Sequence, residues 1–292
     1  MAGPVEPAHL DQSPPGRLIT RTASSPAVVT RDPVRALNFF RLPPGSPRSS
    51  GDQGPSGGDP IESINWYHTI ELPDGRVTNG QFDHRELVQH YGLPEDLSGK
   101  RALDVATFDG FWAFRLERLG ADEVTAVDLA AISQVDLPWG AERQRIREGV
   151  DVRMGAGFEV AKQALGSKVT KAFCSVYDLR PEVLGQFDFV HVADLLLHLR
   201  SPMEALVAIR SVTDGQLLLS DVFHPGLTSI DSHLVQYLGG WEDCTWWLPS
   251  LSTLMQTVAD AGFRNVRLHT TYNLARREDT VGLWRAVISA DS

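Results

Sequence analysis

The sequence has little cysteine and no long apolar run. Its two cysteines among 292 residues, Cys174 and Cys244, have neither CxxC spacing nor the density of a disulfide framework, so neither a zinc site nor disulfide stabilisation is predicted. No apolar run approaches the roughly 18 residues of a membrane-spanning helix, and the N-terminal residues lack the basic and apolar regions of a signal peptide. We therefore expect a soluble, cytoplasmic protein with no membrane segment and no bound metal.

The sequence is also short of positive charge. It has 27 lysines and arginines against 37 aspartates and glutamates, a formal net charge of −10. An acidic protein is a poor partner for a phosphate backbone, which favours a small-molecule partner over nucleic acid. A local basic patch at Arg143, Arg145 and Arg147 stays open, although this alternation is more typical of a solvated helix face. The sequence is compatible with a monomer or a homodimer.

Composition divides the chain into three parts. Residues 1–60 are rich in proline, glycine and serine and are predicted to form a disordered tail. Residues 61–97 are apolar and aromatic, with a predicted hairpin at the PDG turn followed by a helix, and are expected to cover a cleft. Residues 98–292 form the main domain, in which residues 223–249 are too long for an ordinary connection and are predicted to be a substrate lid.

The most informative stretch is LDVATFDGFWAF, residues 103–114. Apolar and small residues around Asp104 predict a buried parallel strand, Asp109 and Gly110 end it, and the apolar spacing that follows predicts a helix. A second buried strand, in EVTAVDL, ends on Asp128, close to where an acid binds a nucleotide ribose in folds of this kind. The chain is therefore expected to bind a nucleoside.

The turn itself indicates which nucleoside. A dinucleotide site needs small residues here so that backbone amides can approach a pyrophosphate, and Ala106 and Phe108 replace two glycines. A cofactor that carries an amino-acid tail and a sulfonium instead of phosphates needs less clearance and is compatible with Asp104. The turn thus favours S-adenosylmethionine over NAD. The alternative is an ordinary strand-to-helix corner with a buried acid.

Strands alternate with helices along the rest of the chain. This order predicts an α/β fold: a doubly wound, mostly parallel, seven-stranded Rossmann-like sheet with helices on its faces and right-handed crossovers. The strands are predicted at residues 101–106, 124–127, 169–174, 187–193, 216–222, 266–269 and 283–289. Helices are predicted at residues 158–165, 202–212 and 250–261.

Several segments, taken in this order, resemble a known family. ALDVATFDGFWAF, SVYDLRPEVLGQFDFVHVADLLLHLRSPMEAL and DAGF are similar to segments of class I S-adenosylmethionine-dependent methyltransferases. More narrowly, they resemble the group that includes bacterial tRNA wobble-uridine carboxymethyl-transferring enzymes and actinobacterial natural-product methyltransferases. The resemblance extends from about Gly80 to the C-terminus. It implies a methyltransferase fold and S-adenosyl-L-methionine as the cofactor.

The resemblance also implies where each part of the cofactor lies. The residues against its methionine part are Asp104, Ala106, Thr107, Phe108 and Gly110. Asp128 accepts from the ribose hydroxyls. The adenine is flanked by Tyr177 and Asp178. The sulfonium and the acceptor are faced by Ala193 and Asp194. A turn cap is the alternative for Tyr177 and Asp178.

Methyl transfer from a sulfonium is an in-line displacement, so alignment of donor and acceptor supplies much of the rate. A base is needed only where the acceptor atom carries a proton that must leave. The candidate catalytic residues are Tyr67, His68 and Glu71 in the WYHTIEL segment, together with His198. In a strand, His68 would lie on one face of this segment, and Tyr67 and Glu71 on the other. The alternatives are packing for the WYH cluster and a structural role for His198.

Aromatic residues are concentrated in the insertion at residues 223–249. Trp241, Trp246 and Trp247 are predicted to line an acceptor pocket together with His224, because aromatic rings bury large areas and stabilise nearby positive charge. Core packing beneath the insertion is the alternative. The lining predicts an aromatic or apolar acceptor.

The function predicted from these features is methyl transfer to a small molecule, an aromatic or apolar specialised metabolite. Two alternatives stay open. A tRNA wobble-base modifying transferase would need a basic surface, and a non-catalytic S-adenosylmethionine-binding module is compatible with the replaced glycines at Ala106 and Phe108. An NAD oxidoreductase of similar fold is disfavoured by the same turn.

Overall fold

The structure is a computed structural model of the chain, which describes residue 59 and residues 61–138, 153–228, 232–240 and 244–292. All described residues belong to one compact unit. Several predictions fall on residues outside the described ranges: the tail, apart from Asp59, and Arg143, Arg145, Arg147 and Trp241.

A seven-stranded sheet is the centre of the fold. The strands are β1 (Arg101–Val105), β2 (Glu123–Asp128), β3 (Thr170–Phe173), β4 (Phe187–Ala193), β5 (Thr213–Val222), β6 (Val235–Tyr237), β7 (Trp247–Pro249), β8 (Arg264–Leu274) and β9 (Leu283–Asp291). The order in the main sheet is β3-β2-β1-β4-β5-β9-β8, and β6 pairs separately with β7. Strands β1 to β5 are parallel, whereas β9 is antiparallel to β5 and β8. The predicted fold class is confirmed.

Helices cover the sheet on both faces. They are α1 (Phe111–Arg118), α2 (Ala156–Leu165), α3 (Pro181–Leu184), α4 (Pro202–Val212), α5 (Pro225–Thr228) and α6 (Leu251–Asp260). Short 3-10 helices lie at Val88–His90, Ile132–Gln134, Val176–Asp178 and Leu196–His198. Local chemistry explains where two of these helices begin. A proline is the first residue of α4, a position at which a missing backbone N–H costs nothing. The Ser250 side chain caps the first turn of α6.

The central strands separate two apolar cores. One core contains Leu206 and Ile209 of α4 with Val258 of α6. The other contains Trp112 of α1 and Phe158 of α2, packed with further aromatic residues. Because both faces are covered, β1 and β4 are buried along almost their whole length, as is usual for parallel strands.

The segment at residues 61–97 packs on the second core, which buries Trp66, Tyr91 and their apolar neighbours. A tight turn forms at the PDG sequence, where the Leu72 N–H donates to the Arg76 carbonyl over 2.8 Å. The strands on either side are reduced to single bridges, Glu71 with Val77 and His68 with Phe82. The segment is thus held mainly by side-chain burial.

The insertion at residues 223–249 contributes α5 and the small β6–β7 pair to the described structure. Leu248 of β7 is buried against Leu197 and Val222, which ties this pair to the ends of the central strands. In the described residues, no helix is both long and apolar enough to span a membrane.

Candidate active site

A cleft opens at the carboxyl ends of β1, β2 and β4. The order of the strands reverses between β1 and β4, and ligands of open α/β sheets bind at such a switch point. The cleft encloses about 1200 Å³ of empty space, part of it open to solvent. Residues from β1, β2, β4, the segment at 61–97 and the insertion line it.

The turn after β1 forms the floor of this cleft. Ala106 and Phe108 line it, and both have left-handed backbones, with φ of 60° and 47°. Glycine is the residue that adopts this conformation without strain. The chain therefore keeps the backbone path of a glycine turn while carrying two side chains on it.

Gly110 closes the turn and begins α1 with a φ of 87°. A Cβ atom on this residue would lie 2.6 Å from the Phe114 ring and 2.7 Å from the Phe158 ring. Gly110 and the buried Thr107 do not line the cleft. Their contribution is to the shape of the turn.

Asp128 ends β2, is buried and lines the cleft. Its two carboxylate oxygens accept from the backbone N–H groups of Phe108 and Leu129, each over 2.7 Å. Burial raises the pKa of this carboxyl above its ordinary value, and the two backbone hydrogen bonds oppose that rise. Asp128 thus connects the ends of β1 and β2 beneath the cleft.

Asp104, on β1, is 1% exposed and has one oxygen without a partner. Its Oδ1 is 2.7 Å from Nδ1 of His191, and Nε2 of His191 is 3.1 Å from the Tyr91 hydroxyl. Its Oδ2 is buried and has no hydrogen-bond partner among the described residues. Buried polar atoms are nearly always satisfied, so an unsatisfied oxygen on a cleft-lining residue indicates a ligand that donates to it.

Asp194 follows β4 with a left-handed φ of 47°. Nε of Arg285 donates to its Oδ1 over 2.7 Å, and the Tyr67 hydroxyl donates to its Oδ2 over 3.1 Å. Burial, and next the charge of Asp194, raise the pKa of Tyr67 well above its ordinary value. Tyr67 therefore presents a hydrogen-bond donor rather than a base.

Asp109 attaches the segment at 61–97 to the turn. Its Oδ2 accepts from the backbone N–H groups of Tyr67 and His68, over 2.6 and 3.0 Å. Burial raises the pKa of Asp109 to about 7. Through this contact the WYHTIEL segment becomes one wall of the cleft, with Tyr67 and His68 lining it.

Three histidines that line the cleft are neutral at pH 7. Burial lowers the pKa of His68 well below its ordinary value, that of His84 to about 3 and that of His198 to about 4. Nδ1 of His198 lies 3.2 Å from the Cys244 carbonyl oxygen, which can only accept, so Nδ1 carries the hydrogen and Nε2 has the lone pair. His198 therefore has the form required of a base.

The remaining residues predicted for the cofactor lie in different places. Ala193 and Tyr177 line the cleft, and the Tyr177 hydroxyl donates to Asp136. Asp178 is exposed and belongs to an adjoining depression beside Arg180 instead. The structure thus brings Tyr177 into the cleft without its neighbour.

Other predicted residues stay outside the cleft. Glu71 is exposed and His224 does not line it. The indole N–H groups of Trp246 and Trp247 donate to the backbone carbonyls of Asp136 and Leu199, so both rings are packed under the insertion rather than open to an acceptor. The strand alternation expected for WYHTIEL fails because single bridges replace a strand, and Tyr67 and His68 face the same cleft.

Some residues of the site were missed in the sequence. Arg285 is a lone cation in the apolar strand β9, and His191 is a lone imidazole in β4. Trp112 and His84 line the cleft but were assigned no role. The isolation of Arg285 and His191 in apolar runs was a usable signal, since buried polar groups need partners. The described residues contain no cluster of three or more His, Cys, Asp or Glu residues suited to a metal ion.

Curated relatives of the chain share one name. No protein-family model matches the chain. It is 30% identical over 180 residues to the tRNA U34 carboxymethyltransferase of Pseudomonas fluorescens strain Pf0-1, a match that covers 59% of this chain and 48% of the relative. With the enzyme of that name from Methylococcus capsulatus it is 29% identical over 184 residues, covering 61% and 48%. The chain spans about half the length of the curated relatives it matches.

Solved structures show the same fold. The N-terminal domain of EvdMO1, crystallised with SAH and D-fucose, superposes with a TM-score of 0.54 at 17% identity, covering 80% of this chain and 92% of that domain. The YcgJ protein of Bacillus subtilis superposes with a TM-score of 0.50 at 14% identity, covering 72% and 98%. Together with the strand order and the antiparallel β9, these likenesses confirm the predicted architecture. The chain has the class I S-adenosylmethionine-dependent methyltransferase fold.

Proposed function

We propose that the chain binds S-adenosylmethionine in this cleft and transfers its methyl group to a small apolar or aromatic molecule. The observation that carries the proposal is the buried, unpartnered Oδ2 of Asp104 at the switch point of a methyltransferase sheet. The names of the relatives, and the SAH in the crystals of the EvdMO1 domain, support the cofactor.

The residues around the cleft fit this cofactor. Its amino-acid tail carries an ammonium that can donate to Asp104, and its ribose hydroxyls can donate to the remaining lone pairs of Asp128, which ends the neighbouring strand. Tyr177 lies at the cleft wall after β3, where a planar base can pack. No phosphate has to be accommodated against the side chain of Phe108.

When bound, the cofactor supplies an electrophilic methyl group on a sulfonium. The chain's own residues align the acceptor and exclude water, since Phe108, Leu195 and Leu199 make apolar walls. Tyr67 donates its hydroxyl hydrogen to Asp194 and so orients that carboxylate at the cleft. His198 is the base for an acceptor whose attacking atom must lose a proton.

The small-molecule acceptor is supported by the net charge of −10 and by the apolar cleft walls. We infer a tailoring role on a specialised metabolite in the cytoplasm. The second candidate is tRNA wobble-base modification, which the names of the curated relatives favour. The third is a non-catalytic cofactor-binding module.

Calorimetry with S-adenosylmethionine and its product S-adenosylhomocysteine tests cofactor binding. We expect binding of both, and a loss of at least about tenfold in affinity for Asp128→Ala, corresponding to one or two lost hydrogen bonds to the ribose. Asp214→Ala, which changes an exposed carboxylate at the amino end of β5, is the matched control and should bind as the wild type does. No binding by the wild-type chain would refute the proposal.

Mass spectrometry with isotopically labelled S-adenosylmethionine tests the acceptor. Incubation with a metabolite extract should label a small apolar product, and incubation with bulk tRNA should not. Label in tRNA alone would replace the small-molecule acceptor by the second candidate. Cofactor binding with no label in either sample would favour the third.

A further inference from the structure

A second cavity lies outside the cleft, between α1 and the segment at 61–97. This cavity, the α1 groove, is lined by apolar side chains and by Arg85, Arg115 and Arg118. It encloses about 670 Å³ of empty space, part of it open to solvent, and small-molecule sites have volumes of about 300–1,000 Å³. None of the described residues that line the groove also lines the cleft. The groove is therefore a separate place that is large enough for a small ligand.

The inner part of the α1 groove is apolar. Ile70 and Phe114 are buried there, and their surfaces belong to the second core. Val88, Phe111 and Leu165 pack against that core and line the groove with partly exposed side chains. A ligand body that covers these side chains removes apolar surface from water, which favours binding. The groove thus favours an apolar or aromatic body.

Two arginines of the groove have no acidic partner. Arg115 and Arg118 lie three residues apart in the last turn of α1, so their side chains share one face of the helix. No salt bridge to either is found among the described residues. Nε of Arg115 is buried without a hydrogen-bond partner in the described ranges. Buried N–H groups are nearly always satisfied, so this one indicates a ligand that accepts from it.

The other charged groups of the groove balance one another. Arg85 donates from Nε and Nη2 to the two carboxylate oxygens of Asp83, over 2.9 and 2.7 Å. These hydrogen bonds with Asp83, and to a smaller extent the charge of Glu71, raise the pKa of Arg85 above its ordinary value. The positive charges left without a partner are those of Arg115 and Arg118. Together they match a ligand group with two negative charges.

We propose that the α1 groove binds a phosphate monoester with an apolar or aromatic body. Arg115 and Arg118 bind the phosphate, and the apolar side chains take up the body. A phosphate monoester carries about two negative charges at pH 7, and guanidinium groups bind phosphate oxygens through paired N–H donors. A carboxylate, with one charge, leaves one of the two arginines unpaired. This inference goes beyond the proposed function and does not rest on it.

The ligand of the groove binds behind one wall of the cleft. It contacts both α1 and the segment at 61–97, because residues of both line the groove. The ring of Phe111 lines the groove and stacks on His68, with centroids 5.6 Å apart. His68 lines the cleft. The groove and the cleft therefore share a wall but not a cavity, and both can be occupied at the same time.

Calorimetry on the full chain, with phenyl phosphate as the probe, tests the groove. Phenyl phosphate should bind at least about tenfold more tightly than inorganic phosphate, which lacks the ring, and than benzoate, which has one charge. Benzyl alcohol has the ring without a charge and should not bind at the same concentrations. Saturation with S-adenosylhomocysteine should change the affinity for phenyl phosphate by less than about twofold, since the two cavities are separate.

Two variants locate the phosphate. Arg118→Gln, at an exposed residue, should weaken phenyl phosphate at least about tenfold, because a hydrogen-bonded charge pair is lost. Arg115→Gln should have an effect of the same size. Arg267→Gln, at an exposed arginine of β8 outside the groove, is the matched control and should bind as the wild type does.

Each other outcome overturns the inference. Failure of the wild type to bind phenyl phosphate, or equal affinity in Arg118→Gln, removes the site. Equal affinity for inorganic phosphate shows an anion contact that does not use the groove, and equal affinity for benzoate replaces the phosphate by a carboxylate. Displacement by S-adenosylhomocysteine places the probe in the cleft. Displacement by bulk tRNA assigns the groove to a nucleic-acid phosphate instead. A chain that binds phenyl phosphate but no S-adenosylhomocysteine refutes the proposed function alone.

Discussion

At the scale of single residues, backbone strain is concentrated around the cleft. Ala106, Phe108 and Asp194 all have left-handed backbones and all line it. Each such residue costs of order 1–3 kcal/mol unless glycine replaces it, and such strain clusters at functional sites. The side chains retained there form the cleft surface, which glycines could not do.

The strain at Ala106 predicts a stabilised variant. Ala106→Gly should raise the free energy of unfolding by up to about 1 kcal/mol, because relief of the left-handed strain exceeds the extra entropy of glycine in the unfolded chain. Urea denaturation measures the change. Ala113→Gly, in the buried right-handed helix α1, is the control and should lower stability by about 1 kcal/mol. Equal decreases in the free energy of unfolding of both variants would contradict the prediction.

The buried carboxyl of Asp109 predicts a pH dependence of stability. Its pKa is raised to about 7, so its contribution to stability is complete at low pH and is lost as the pH rises through about 7. Asn in its place does not titrate. The stability of the wild type relative to Asp109→Asn should therefore fall by about 1.4 kcal/mol per pH unit up to about pH 7 and then stay constant.

Urea denaturation of both proteins from about pH 5.5 to 8.5 measures this difference. Asp214→Asn, at an exposed carboxylate, is the control and should show no such slope. A difference between wild type and Asp109→Asn that is constant with pH would show that burial does not raise the pKa of Asp109.

At the scale of elements, a buried ion pair connects β4 with β9. Arg285 of β9 is 1% exposed and holds Asp194, while its Nη1 donates to the carbonyls of Leu274 and Leu283. Tyr67 reaches the same carboxylate from the segment at 61–97. Three parts of the chain thus meet at one carboxylate beside the cleft.

This junction predicts a strong effect of removing one charge. Arg285→Met should lower the free energy of unfolding by about 3–5 kcal/mol, because it leaves the largely buried Asp194 carboxylate without its cation. The double variant Asp194→Asn/Arg285→Met should recover part of that loss, since neither member of the pair is then charged and asparagine tolerates a left-handed backbone. Chemical denaturation of the three proteins provides the values. A double variant less stable than the single one would rule out this explanation.

Local sequence patterns predicted the bounds of a helix or strand correctly where residues at both of its ends favour a start or a stop. The helix at Pro202–Val212 and the strand at Phe187–Ala193 have the predicted bounds. The last two strands were predicted too short, most clearly β8 (Arg264–Leu274), an edge strand with many exposed polar residues. Its length is set by pairing with β9 rather than by its own apolar residues.

At the scale of the whole molecule, charge distinguishes the two candidate acceptors. Binding of a nucleic acid through several phosphates falls by orders of magnitude as salt rises from about 50 to 200 mM. A neutral acceptor in an apolar cleft is not subject to this effect. Because the chain has a net charge of −10, we expect a small molecule to be its acceptor. The rate of methyl transfer to that acceptor should then change by less than about twofold over that salt range. Initial rates at fixed cofactor saturation test this. A steep fall with salt would favour tRNA.

The sequence by itself determined the alternation of strands and helices, the mostly parallel sheet and the turn after β1. Apolar periodicity and the positions of glycine and proline are local signals. The first reports which residues are buried, and the second reports where helices and strands end. The structure alone decided which residues meet. Asp104 pairs with His191 and Asp194 with Arg285 across different strands of the sheet, and Trp112 rather than Trp246 faces the cleft. A buried polar or aromatic residue signals that it needs partners, but its partners follow from strand order and register, which only the folded chain defines.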